Sequence, residues 1–159
     1  MLIVCFFLSK DLTTSTPVSV RILLSLCLFA VLFVFITEDT LEQCIELYIS
    51  VFNSEPWNET WTYSSAKERL TDLLHTPKFL GFLLYVKGNL IGFIAGNSKK
   101  SYAGLTFYLA ELCINNRIQG KGYGTKLLLS LEEELHTKGG FPIRTRKPTF
   151  LWNKQDNII

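Results

Sequence analysis

Three glycines that alternate along the chain constrain its fold more than any other feature. Gly120, Gly122 and Gly124 lie between a stretch rich in β-forming residues, Leu105 to Ile114, and a stretch with leucines at helical spacing, Thr125 to Thr137. Glycine permits positive φ angles and lets other groups approach the main chain closely. The order therefore predicts a strand, a tight turn and a helix.

Such a turn also predicts an anion-binding site at the start of the helix. The first turn of a helix has N–H groups without helical partners and a partial positive charge, so a phosphate or pyrophosphate is the expected ligand. Two familiar phosphate motifs do not fit, because both the dinucleotide fingerprint and the P-loop, begun at Gly120, require glycine where Thr125 stands. A tight turn without a ligand remains the alternative.

Two amphipathic helices are predicted nearer the amino terminus. Capping boxes at Thr40–Gln43 and Ser65–Glu68 indicate where they begin. Apolar residues at helical spacing carry the first helix to about Phe52, and Pro77 stops the second. The loop between them, Asn53 to Thr62, carries two tryptophans and a proline.

The pattern then changes from helical to strand periodicity. Phe79 to Val86 and Leu90 to Ala95 are predicted to form a hairpin around the turn Lys87–Asn89. A polar loop, Ser98 to Gly104, is expected before the long strand. Helices followed by a hairpin, a strand and a further helix predict a mixed α/β domain.

Composition excludes some classes of function. The 159 residues fit one domain, and 16 Lys+Arg against 14 Asp+Glu give a net charge of +2, which argues against a nucleic-acid surface. The four cysteines show no C-x-x-C spacing and only two histidines occur, so a metal site is not expected. The thiols are interpreted as buried small hydrophobes in a reducing compartment, which favours a cytoplasmic protein.

The apolar run Ile22 to Ile36 has three possible interpretations. Extended to Val18–Ile36, it reaches the length of a marginal membrane anchor. It could also be an appendage without a fold of its own, or its end, Phe33–Ile36, could be the first buried strand. The corresponding division of the chain is 1–32 as an apolar extension, 33–140 as the domain and 141–159 as a basic tail.

The glycine segment resembles a known family signature. Gln119–Gly124, which reads QGKGYG and follows the strand Tyr108–Ile114, is similar to the Q/R-x-x-G-x-G/A signature of the GCN5-related N-acetyltransferases (GNAT). The resemblance extends over about Phe33 to Gly140. It implies an α/β fold with a GNAT-like mixed sheet and flanking helices. It also implies acetyl transfer from acetyl-CoA to a primary amine of a small molecule or peptide, without a metal.

The resemblance also implies roles for individual residues. Cys113 and Ile114 would bind the pantetheine arm through their main chain, and Glu111 would take a proton from the acceptor amine. The residues implied in binding the pyrophosphate are Gln119, Gly120, Lys121, Gly122, Tyr123, Gly124 and Thr125.

Two of these assignments have structural alternatives. Trp57 and Trp61 could line the acceptor site, whereas aromatic residues in a loop also pack commonly on a core. Glu111 could be an exposed or salt-bridged strand residue.

The chain departs from the family pattern after Gly140. The segment Phe141–Pro148 contains two prolines, which makes it a poor central strand, and no tyrosine follows Tyr123 to serve as general acid. The carboxy-terminal strands are therefore expected to be missing or replaced, with weak cofactor affinity and little turnover. A non-catalytic CoA-binding or interaction module and a small membrane-tethered protein are the alternative functions.

Overall fold

The computed structural model describes residues 31–102, 104–139 and 142–145. These ranges form a five-stranded sheet in the order β1-β2-β3-β4-β5 with three α-helices, which confirms the predicted α/β fold. The strands are β1 (Val31–Phe35), β2 (Phe79–Val86), β3 (Asn89–Ser101), β4 (Gly104–Ile114) and β5 (Ile143–Thr145). The helices are α1 (Glu38–Phe52), α2 (Tyr63–Leu74) and α3 (Tyr123–Thr137).

The first strand is formed by the end of the apolar amino-terminal run. β1 pairs antiparallel with β2, from Val31 opposite Val86 to Phe35 opposite Phe82. Ile36 follows the strand, is buried, and donates its N–H to the Gly81 carbonyl at 3.0 Å. The prediction of a strand here is therefore confirmed, with bounds shifted toward the amino terminus, but its expected burial is wrong, because Val31, Leu32 and Phe35 are exposed.

The rest of the apolar extension, residues 1–30, lies outside the described residues. None of the helices in the described ranges combines the length and the hydropathy needed to cross a bilayer.

Both predicted helix starts are wrong by about one turn. The N-cap of α1 is Thr37, whose N–H donates to Thr40 Oγ1 at 2.9 Å. The N-cap of α2 is Thr62, whose Oγ1 accepts from the Ser65 N–H at 3.1 Å. In each case a hydroxyl residue lies three positions upstream of the predicted cap and takes the capping role, so Thr40 and Ser65 become its box partners.

The predicted polar loop Ser98 to Gly104 is also wrong. β3 continues through Ser101, which pairs with Gly104 of β4. Lys99 and Lys100 are exposed on this part of the hairpin, so their charges stay in water while their main chain pairs as a strand. Main-chain pairing with β4, rather than side-chain burial, extends the strand.

The sheet separates two hydrophobic layers. α1 and α2 cover one face, where the buried residues include Cys44, Ile45, Tyr48, Phe93 and Cys113. α3 covers the other face, where the buried residues include Ile94, Phe107, Leu127, Leu131 and Leu135.

The basic tail contributes a short strand, which lies at the edge of the described sheet and not in its centre. β5 pairs in parallel with β4 from Phe107 opposite Ile143 to Leu109 opposite Thr145. Pro142 immediately precedes this strand, and its carbonyl accepts the Phe107 N–H at 3.0 Å. A proline at the start of a strand removes no ladder donor, which explains why it is tolerated. This three-residue edge strand does not contradict the prediction of a poor central strand, and the residues after 145 lie outside the described part.

Gly96 offers a test of the close packing between β3 and β4. A Cβ at Gly96 would lie 2.2 Å from the Tyr108 carbonyl oxygen and 2.7 Å from the Phe107 ring. Gly96→Ala should lower the free energy of unfolding by about 1–3 kcal/mol because main chain must move. Chemical denaturation measures the change, with the exposed Lys100→Ala as control. Equal stability of the two variants would contradict the close approach.

His75 offers a test of charge coupling between α1 and α2. Its Nδ1 lies 2.8 Å from the Thr71 carbonyl oxygen and its Nε2 lies 3.3 Å from Glu38 Oε1. The Thr71 carbonyl and then the Glu38 carboxylate raise the pKa of His75. The resulting stabilisation is complete below the unfolded-state pKa and is lost as the pH rises through the folded-state pKa.

An NMR titration should show this raised pKa of His75, and Glu38→Gln should move it back toward the ordinary histidine value. A pKa that does not respond to the substitution would show that Glu38 has no part in the coupling.

Candidate functional site

A β-bulge in β4 determines which residues face the candidate site. Ala95 pairs with Glu111 and Gly96 pairs with Leu109, so Ala110 has no partner on β3. Side chains alternate along a strand, and one extra residue reverses the alternation. Leu109 therefore packs in the α3 layer, whereas Glu111 contacts α2 and Cys113 packs in the α1–α2 layer.

Glu111 is buried against an arginine from α2. Its side chain is 5% exposed, and Arg69 Nε donates to its Oε1 at 2.9 Å while Arg69 Nη2 contacts the same oxygen. Burial opposes the charge of Arg69, but the Glu111 carboxylate outweighs it and raises the pKa of the guanidinium. The contact matches the salt-bridged alternative for Glu111, and its role as proton acceptor stays a prediction.

The two tryptophans of the loop pack on α1. Trp61 meets Tyr48 edge to face, with ring centres 5.2 Å apart, and donates its Nε1–H to Glu59 Oε2 at 2.5 Å. Trp57 lies against Phe52, with ring centres 5.5 Å apart. Both tryptophans are half-buried, so packing on the core is a role that the structure shows for them.

Trp61 also lies close to the ion pair. The Arg69 guanidinium carbon is 5.7 Å from the centre of the Trp61 ring. Asn53 fixes the main chain of Trp61 at both ends, donating from Nδ2 to its carbonyl and accepting its N–H at Oδ1, each at 2.8 Å. The carboxyl end of the loop is thus held next to Glu111 through Arg69, while an acceptor-binding role for Trp61 and Trp57 stays a prediction.

Two residues of this cluster were missed by sequence reasoning. Tyr48 is buried, and desolvation, reinforced by the Glu111 charge, raises the pKa of its phenol above its usual range. Arg69 precedes Leu70 in the apolar stripe of α2 that also includes Ala66. The sequence offered one signal for Arg69, which is a charged residue beside an apolar stripe. It gave no indication of the partner, Glu111, because that residue is 42 positions away in the chain.

The glycine turn is attached to the end of β4 by a side-chain amide. Gln119 Nε2 donates to the Ile114 carbonyl at 3.0 Å and to Asn116 Oδ1 at 2.7 Å. Gly120 and Gly122 have φ angles of 75° and 74°, as the turn requires of glycine. A Cβ placed on either glycine would meet no protein atom within 4 Å, so the main chain of the turn borders open space.

The start of α3 faces the same region. Gly122 is the N-cap and accepts the Lys126 N–H at 3.1 Å, which is the first bond of the helix. The N–H groups of Tyr123, Gly124 and Thr125 precede that bond and have no partner within the helix. The helix begins two residues before the predicted Thr125, because Gly122 rather than Gly124 ends the left-handed turn.

Main-chain alternation along β4 distinguishes two residues predicted to bind the pantetheine arm. The Asn115 N–H donates to the Ile91 carbonyl at 2.9 Å, so in an antiparallel ladder the polar groups of Cys113 also face β3. The groups of Ile114 and Leu112 then face the β5 side. The pairing with β5 covers only Phe107–Leu109, so within the described ranges the end of β4 is paired with β3 but has no strand on its β5 side.

The two cysteines in the described ranges are buried and not cross-linked. Burial raises the pKa of the Cys44 thiol to about 12 and that of Cys113 well above its ordinary value, so both are poor nucleophiles. The described residues hold no group of three or more His, Cys, Asp or Glu side chains arranged to bind a metal ion.

Comparison with known proteins identifies a matching family. The model of the acetyltransferase (GNAT) family matches residues 41–150. No curated protein matches the chain significantly by sequence.

Solved structures with the same fold are remote in sequence. A GNAT family acetyltransferase from Staphylococcus aureus is 15% identical, with a TM-score of 0.63 over 82% of this chain and 93% of its own. A possible acetyltransferase from Clostridium difficile is 12% identical, with a TM-score of 0.64 over 77% and 83%. An aminoglycoside acetyltransferase from an uncultured soil metagenomic sample, in complex with sisomicin, is 19% identical, with a TM-score of 0.57 over 74% and 78%.

The ion pair between Arg69 and Glu111 predicts a coupled stability effect. Arg69→Met should lower the free energy of unfolding by about 2 kcal/mol, because a buried carboxylate loses its partner while the exposed side of Arg69 moderates the loss. Adding Glu111→Leu should recover most of that loss, since an apolar pair replaces the buried charges. Denaturant titration of the single and double variants measures both changes. Additive losses would contradict the coupling.

Proposed function

Because the chain belongs to the GNAT acetyltransferase family, we propose that it transfers an acetyl group from acetyl-CoA to a primary amine. The observation that supports this most directly is the junction of β4 and α3. There, two left-handed glycines border open space at the start of a helix whose N-cap has no side chain. Such a junction provides main-chain donors for a diphosphate.

The residues at this junction fit coenzyme A. The N–H groups of Tyr123, Gly124 and Thr125 would bind the diphosphate, and the exposed cations of the segment, Arg117, Lys121 and Lys126, would add positive charge. When bound, acetyl-CoA supplies the activated acyl group as a thioester. The main-chain groups of Ile114 and Leu112, which face the β5 side of β4 beyond the described pairing, would align the pantetheine arm.

Glu111 is the proposed proton acceptor for the amine. An ammonium has no lone pair, so it must lose a proton before it attacks the thioester. The bulge turns the Glu111 side chain toward α2, and Arg69 fixes one of its oxygens. The carboxylate is thus held in one place, where it takes the proton directly or through water.

The acceptor is proposed to be a small cationic amine. One structure with the same fold is an aminoglycoside acetyltransferase in complex with sisomicin. In this chain, the loop after α1 carries Glu55 and Glu59, and Glu59 accepts the Nε1–H of Trp61 beside the Arg69–Glu111 pair. Their negative charge would attract a cationic amine to the site.

The glycine turn yields a direct test of cofactor binding. Gly122→Val should weaken coenzyme A binding by about tenfold or more, because a branched side chain enters the space beside the turn and strains a positive φ. Isothermal titration calorimetry with coenzyme A measures the affinity. Gly88→Val is the matched control, since Gly88 also has a positive φ, of 76°, and open space but lies in the β2–β3 hairpin.

Equal affinities in the wild type and the Gly122→Val variant would refute the proposed site. Lost binding in both glycine variants would instead indicate that backbone strain, and not the turn itself, is responsible.

The role of Glu111 is tested by turnover. Glu111→Gln should lower kcat by roughly 10²-fold or more with little change in coenzyme A affinity, because a neutral amide accepts no proton. Thiol release from acetyl-CoA in the presence of an amine panel that includes sisomicin measures kcat. Glu132→Gln, an exposed change on α3, is the control. Undiminished turnover in Glu111→Gln would exclude Glu111 as the base.

A non-catalytic CoA-binding module is the second candidate function. The observation that favours it is the ion pair, since Arg69 occupies the carboxylate that would act as base. Coenzyme A binding by the wild type without thiol release for any amine of the panel would support this candidate over the enzyme.

A further inference from the structure

Asn116 connects two loops that belong to different sides of the site. It opens the short 3-10 helix Asn116–Ile118 that follows β4. Its Nδ2 donates to the Val51 carbonyl at 3.2 Å and to the Glu55 carbonyl at 3.3 Å. Its Oδ1 accepts from Gln119 Nε2 at 2.7 Å. One half-buried side chain therefore joins the end of α1 to the glycine turn.

These hydrogen bonds determine the orientation of both side-chain amides, those of Gln119 and Asn116. A primary amide has two N–H donors, and Gln119 directs them to the Ile114 carbonyl and to Asn116 Oδ1. Asn116 must then turn its own N–H groups toward carbonyl oxygens, as it does. The donors thus run outward from Gln119, to the end of β4 on one side and through Asn116 to the end of α1 on the other, and flipping either amide would lose hydrogen bonds.

The loop beyond α1 closes on itself close to Asn116. The Trp57 and Asn58 N–H groups both donate to the Ser54 carbonyl at 3.0 Å, and the Glu59 N–H donates to the Phe52 carbonyl at 2.9 Å. The Glu55 carbonyl that Asn116 binds lies inside this closed segment. Release of Asn116 would therefore remove the bond that ties the segment to the glycine turn.

We propose that Asn116 is a positioning residue that couples occupancy of the glycine turn to closure of the loop Asn53–Thr62. The inference rests on the proposed coenzyme A site. A diphosphate bound at the turn holds Gln119, Gln119 holds Asn116, and opening of the loop then costs more. Coupling between two sites is reciprocal, so a ligand that closes the loop raises coenzyme A affinity by the same factor.

Hydrogen exchange on the full chain, with and without saturating coenzyme A, tests the coupling. The amides of Trp57, Asn58 and Glu59 are the reporters of loop closure, because their N–H groups are hydrogen-bonded within the loop in this structure. Coenzyme A should slow their exchange by roughly fivefold or more in the wild type.

Asn116→Ala should keep coenzyme A binding and lose this response, since the variant cannot bridge the turn and the loop. Asn89→Ala is the matched control, because it removes one amide-to-carbonyl bond, from Nδ2 to the Lys87 carbonyl, that lies within the β2–β3 hairpin and does not involve the loop Asn53–Thr62. It should respond as the wild type does. Asn116→Ser provides a second variant if the alanine form does not fold. A merely structural role would change exchange equally with and without coenzyme A.

Three results would overturn the proposal. If saturating coenzyme A leaves hydrogen exchange at the loop amides of the wild type unchanged, the proposal is overturned whatever the variants show. A full response in Asn116→Ala or Asn116→Ser excludes Asn116 as the link. Absence of coenzyme A binding by calorimetry overturns the proposed function and this inference with it, whereas binding without loop protection overturns the inference alone.

Discussion

The bulge at Ala110 is the constraint on which the rest of the site depends. Without the extra residue, Glu111 and Cys113 would continue on the face of Leu109 and point toward α3. With it, the first half of β4 contributes to one hydrophobic layer and its carboxyl end to the other. The same strand thereby supplies core packing beneath α3, a buried carboxylate beneath α2, and a main-chain edge beyond Leu109 that has no strand partner among the described residues and leads to the glycine turn.

The buried ion pair of Arg69 and Glu111 makes the folded state less stable than an apolar pair at the same positions would. A charge that is only 5% exposed is expensive to bury, and Arg69 offsets that cost without removing it. An apolar residue at Glu111 would pack among Tyr48 and its neighbours with no desolvation penalty for a charge. Retention of a carboxylate in this position therefore needs a reason other than stability, and a proton-accepting role would provide one.

Local signals in the sequence were sufficient for the central features of the fold. The bounds of β2, the end of α1 and the left-handed glycines follow from periodicity and from backbone sterics, which act over a few residues. The contact between Arg69 and Glu111 joins residues 42 positions apart, and the bulge exists only relative to β3. Neither has a local signature. The short β5 is compatible with the proline penalty, because that penalty applies inside a central strand and Pro142 lies just before a strand at the edge of the described sheet.

The side-chain amides of Gln119 and Asn116 connect segments of the site that are far apart in the chain. Gln119 is the first residue of the glycine signature, yet both donors of its side chain are used within the protein, on the Ile114 carbonyl and on Asn116. Its side chain therefore fixes the path of the turn, and in the proposed function ligand binding would fall to main-chain groups. Main-chain donors carry no side-chain entropy, so binding of a diphosphate there would immobilise no further side chain of the turn. The signature residue would then act by preorganising the turn, and Asn116 connects it by hydrogen bonds to the end of α1 and to the loop that follows.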